Sequence, residues 1–155
     1  MGRAGTDKIQ QMPWEEYVFH INYIKKYFPN KLQFLLQKTD PTELISDEVL
    51  EKYINLGFTS FCCGTLEQAK MIKNINPNFE TIASITSHLN TSKLKEQADD
   101  YLKYFNYIVL DFHFNRNIQE IKELPPEMNY ILLVNSICNS KCQGTQHWFS
   151  NGKSF

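Results

Sequence analysis

The chain has 155 residues, 42% of them hydrophobic, with 16 Lys+Arg against 17 Asp+Glu for a formal charge of −1. That length fits one domain with a core of its own, and the near-neutral balance excludes a global basic field of the kind that holds nucleic acid. No apolar run approaches the ~20 residues that span a membrane. The polar, glycine-containing start lacks the apolar centre of a secretion signal, so a cytoplasmic protein is expected.

Residues 1–12 read as an N-terminal arm. Pro13 suits a helix start, and Trp14, Tyr17, Val18, Ile21, Ile24 and Phe28 recur at helical spacing, which predicts an amphipathic helix over 13–28. Leu32 to Gln37 is an apolar run of strand length. After a loop with Pro41, Ser46 is a candidate N-cap, Asp47 and Glu48 favour the helix dipole, and Val49, Leu50, Tyr53 and Ile54 form a stripe that Gly57 closes. Phe58 to Cys63 is the second strand, and Thr65 with Gln68 matches a capping box for helix 66–74. Phe79 to Ile85 is the third strand. Thr91 or Ser92 should cap the next helix, with Leu94, Ala98, Tyr101, Leu102 and Phe105 on one face. Tyr107 to Asp111 is the fourth strand, Ile118 to Leu124 a short helix stopped by Pro125-Pro126, and Tyr130 to Val134 the fifth strand. Residues 135–155 form a polar, cysteine-bearing C-terminal loop.

Short apolar strands alternating with helices imply a parallel sheet covered on both faces. The expected fold class is α/β with alternating strand–helix units, a partial or shortened TIM-type βα barrel, since a complete one takes ~250 residues. In such folds ligands bind beyond the carboxyl ends of the strands. That rule selects the stretches after each strand, of which 135–147 is the richest.

Cys138 and Cys142 are three residues apart in that loop, and His147 lies five further on. Thiolates so spaced can hold one metal or an iron–sulfur cluster; the alternative is a pair of structural thiols. The segment also has the first spacing of a radical-SAM loop, but position 145 is Thr where that class needs its third cysteine. Cys62 and Cys63 end the second strand, where adjacent residues point to opposite faces. One could add a sulfur to the Cys138/Cys142 site while the other is a buried small hydrophobe. After the fourth strand, Asp111, His113 and Arg116 are candidates for moving a proton or binding an anion, against a plain capping role, and Asn115 and Asn135 are candidates for cofactor contact. No Gly-rich phosphate loop, G-x-S-x-G elbow or H-E-x-x-H helix occurs.

Gly2-Arg3-Ala4 before a helix, Leu32 to Leu36, Asp111-x-x-x-Asn115-Arg116, and Leu133-Val134-Asn135-x-x-Cys138-x-x-x-Cys142 followed by His147-Trp148-Phe149 together resemble the collagenase-like U-type peptidase family. The resemblance implies a TIM-type barrel and, as in some members, an iron–sulfur cluster, with Cys138 and Cys142 matching the family's cysteine pair; zinc or no metal are the alternatives. It implies redox or hydroxylation chemistry on RNA or an aromatic small molecule, or peptide hydrolysis, although no nucleophile–base pair for the latter is evident. It also admits a nucleic-acid substrate that the net charge does not indicate. The chain departs from the family in lacking a first strand and later barrel units, which raises the expectation of a fragment, or of a non-enzymatic module whose sheet is completed by a second copy or a partner chain.

Overall fold

The computed structural model describes residues 12–29, 32–36, 46–87 and 89–134, with the backbone alone for residues 86, 112 and 116. Helix α1 runs Trp14–Tyr27, α2 Asp47–Asn55, α3 Leu66–Ile75, α4 Thr91–Glu96, α5 Ala98–Tyr104 and α6 Ile118–Lys122. The strands are β1 Phe34–Leu36, β2 Ser60–Cys63, β3 Glu80–Ala83, β4 Tyr107–Val109 and β5 Tyr130–Ile131. No helix among the described residues is long and apolar enough to cross a membrane.

All five strands are parallel, and their order in the sheet is their order in the sequence. A doubly wound sheet reverses its strand order at a switch point; no reversal occurs among the described strands. With right-handed crossovers, every connecting helix then stacks on the same side, as consecutive units do in a βα barrel. The α/β alternation read from the sequence is therefore the architecture found.

The register separates the two faces of the sheet. Phe34, Phe61 and Thr81 form one row across the strands, Leu35, Cys62, Ile82 and Tyr107 the next, and Leu36, Cys63, Ala83, Ile108 and Tyr130 the third. Alternate rows face opposite ways. The first and third rows join Leu50, Ala69, Ile72, Leu94 and Tyr101 of the helices in one core. The second row turns away from it: Leu35 is 51% exposed and Tyr107 38%, while Cys62 and Ile82 at the centre are buried yet stand outside the helix-side core.

Local chemistry explains the helix ends. Ser46 accepts from Val49 N and caps α2. Gly57 stops it at φ 84, where a side chain would also collide with Lys25, whose Nζ donates to Leu56 O at 2.6 Å. The Thr65 box is complete: Thr65 Oγ1 accepts from Gln68 N at 3.2 Å, and Gln68 Oε1 accepts from Thr65 N at 3.3 Å and Gly64 N at 2.8 Å. Thr65→Ala should cost about 1 kcal/mol, read as a lower urea midpoint at unchanged m-value.

Four expectations need correction. The strands are shorter than their apolar runs, because Ile85 enters a 3-10 turn over Ile85–Ser87 and the residues after Val109 enter another over Phe112–Arg116. The helix after residue 90 is capped by Asn90, whose Oδ1 accepts from Lys93 N at 2.8 Å, rather than by Thr91 or Ser92. It also breaks at Gln97 into α4 and α5. On α1 only Ile21 is buried; Phe28, assigned to the inner stripe, is largely exposed.

Candidate functional site

The carboxyl ends of β2 to β5 form a rim bound together by short polar contacts. Ser84 N donates to Cys63 O at 2.8 Å, and Ser87 Oγ to Gly64 O at 2.9 Å. Beyond β4, Asp111 caps the 3-10 turn, its Oδ1 accepting from His113 N at 3.2 Å. The same oxygen lies 3.2 Å from His113 Nδ1. On the other side of the ring, Nε2 lies 3.2 Å from Oε2 of Glu120, which α6 brings in through the Asn117 cap on Glu120 N. Glu120 Oε2 is buried and, among the described residues, takes no hydrogen bond of good geometry, so its contact with the ring is an ion-pair approach off the N–H line. The imidazole rests on the fully buried Phe114, with ring centroids 4.1 Å apart.

A neutral imidazole donates from one nitrogen only, whereas an imidazolium donates from both. Asp111 and Glu120 place a carboxylate oxygen 3.2 Å from each of the two ring nitrogens. Asp111 ties the ring to its own loop through His113 N and Nδ1, and Glu120 is the second carboxylate beside it. Asp111 and His113 were candidates from the sequence; Glu120 was not. Its signal was the Asn117 cap followed by Glu120 in the first helical turn.

The remaining candidates fall into three groups. Asn115 Nδ2 donates to Leu133 O at 2.6 Å, tying the β4 loop to the segment leaving β5. Arg116 contributes its backbone as the last residue of the 3-10 turn; its side chain, like Asn135, Cys138, Cys142 and His147, lies outside the described residues. Cys62 and Cys63 divide as the strand alternation requires. Cys63 is fully buried in the helix-side core, and burial, with Cys62 adding and Lys73 opposing, pushes its thiol up to about 12. Cys62, on the other face, is also pushed up by burial, a rise opposed by a hydrogen bond with Ser84. Among the described residues no group of three or more His, Cys, Asp or Glu is placed to hold a metal ion.

Compared with known proteins, the chain matches no family model, no curated protein and no solved structure.

Proposed function

We propose that this chain is a metal-binding βα-barrel-type protein related to the collagenase-like peptidase family. Cys138 and Cys142 hold an iron–sulfur cluster or zinc at the rim, with Cys62 and His147 as candidates to complete the set. The chemistry it serves is of redox or hydroxylation type, on RNA or an aromatic small molecule. The observation that carries this reading is the Asn115–Leu133 bond. It fixes the stem of the cysteine-bearing segment, five residues before Cys138, to the loop that carries Asp111 and His113. The cysteine-bearing segment thus departs from the same rim as Asp111 and His113, where parallel α/β folds bind their ligands.

The test is iron, zinc and sulfide content with a visible spectrum, on protein purified without oxygen. Wild type should carry stoichiometric metal, with absorption near ~400 nm if a cluster is bound, and the Cys138→Ser/Cys142→Ser protein should lose it. Equal metal in the two, or none in either, overturns the reading.

A second reading is favoured by the apolar row Leu35, Cys62, Ile82 and Tyr107 on the sheet face away from the helices. A non-enzymatic module could use that face to receive a partner chain. Metal-free protein would leave this reading standing.

A further inference from the structure

Helix α1 has two apolar faces, and among the described residues only one is used. Its inner face is held by Ile21 in the core and by Tyr17, whose ring centroid is 5.9 Å from that of Tyr53 on α2. At about 3.6 residues per turn, Phe19, Tyr23 and Tyr27 fall on the opposite side. Phe19 is 66% exposed and Tyr23 58%. Charges bound this outer stripe: Glu16 one turn before Phe19, and Lys26 one turn after Tyr23. Glu15 and Glu16 lie in the first helical turn, and Lys25 and Lys26 in the last.

The spacing is palindromic. Glu16 to Phe19 is three residues, Phe19 to Tyr23 four, and Tyr23 to Lys26 three. Turning the helix end for end about Ile21 exchanges Phe19 with Tyr23 and Glu16 with Lys26. A two-fold interface demands this property, because residue i meets residue j and residue j meets residue i. We infer that the outer face of α1 is a self-association surface, on which a second copy of this chain lays its own α1 antiparallel. Phe19 packs on Tyr23 of the second copy, and Glu16 pairs with Lys26 at both ends. The antiparallel arrangement also sets the acidic start of each helix against the basic end of the other, with opposed macrodipoles. A membrane surface fits less well, since the stripe is flanked by both signs of charge and lacks the basic polar face of an interfacial helix. Glu16 approaches His20 at 3.7 Å within its own helix, with both side chains about half exposed, a surface contact weak enough to yield to a partner. One pair of 14-residue helices covers less than the ~1,200 Å² of a standard stable interface, so the dimer is concentration-dependent.

Sedimentation velocity of the full chain over a wide concentration range tests this. Wild type should move from monomer to dimer as concentration rises. F19E, at a site that is exposed in the monomer, should stay monomeric with an unchanged circular dichroism spectrum and melting temperature. E16K and K26E should each weaken dimerisation about tenfold by placing like charges together twice per dimer, and the E16K/K26E double variant should recover to within about threefold of wild type. A monomeric wild type overturns the inference. So does a dimer that survives F19E but is lost in L35E, which would move the interface to the open sheet face, and so does failure of the double variant to recover.

Discussion

Phe61→Ala should cost about 3–5 kcal/mol of folding stability, the range for deleting a fully buried ring. Phe61 is completely enclosed at the centre of β2, between Phe34 and Thr81 in its row. Its ring meets Phe79 at 5.4 Å between centroids and Phe34 edge-on at 6.3 Å. Phe79 is buried in the core next to β3 and Phe34 is held in β1, so the void does not close by side-chain movement alone. Domains of this size are stable by about 5–15 kcal/mol, which leaves the variant near the edge of folding at room temperature. Leu35→Ala is the control from the neighbouring row. It lies on the opposite face, half exposed, and should change stability by no more than about 0.5 kcal/mol. Urea unfolding of both variants checks the assignment of the two faces as well as the magnitude; similar losses at the two positions would mean that the second row is covered too.

Asn106→Ala should cost about 1–3 kcal/mol by leaving a buried donor without a partner. Asn106 Oδ1 accepts from Thr81 N at 2.9 Å, from Thr81 Oγ1 at 3.3 Å and from Lys73 Nζ at 3.0 Å. Thr81 is fully buried. Its hydroxyl keeps Tyr104 O at 2.6 Å, and Lys73 keeps Phe79 O at 2.7 Å, so the amide of Thr81 is the group that suffers. Amide hydrogen exchange should show that one proton losing protection ahead of its neighbours. Asn106→Asp keeps the acceptor and faces the Lys73 ammonium, and should retain most of the stability. If the alanine and aspartate variants proved equally unstable, the oxygen would not be the cause.

The fold was legible because each unit follows its own local rule. The Thr65–Gln68 box, the Ser46 cap and the Gly57 stop are short-range chemistry, and they sit where the sequence puts them. Less legible were places where several residues could do the same job. Asn90, Thr91 and Ser92 are all good caps, and only backbone geometry selects Asn90. Ile85 is apolar enough to extend a strand, and it turns in 3-10 conformation instead. In α1 the heptad-like stripe of Trp14, Tyr17, Ile21 and Ile24 hid a second one, because aromatic residues on both faces blur a single apolar direction. At the rim, Asp111 and His113 were visible as residue types following a strand. Glu120 was not, since its meeting with His113 depends on how tightly the chain turns between Asp111 and α6.

The strand order has a consequence for how the protein is made. Every pairing joins strands one βα unit apart, Phe34 with Phe61 at one edge and Ile108 with Tyr130 at the other. Parallel sheets fold slowly when distant segments must meet first, but here each strand needs only its predecessor as a template. The sheet can therefore lengthen one strand at a time in the order of synthesis, each new helix closing over the strands just laid down. The β4 and β5 segments, which bear Asp111, His113 and the stem of the cysteine loop, then join a scaffold already formed by β1 to β3, so the rim chemistry is assembled last.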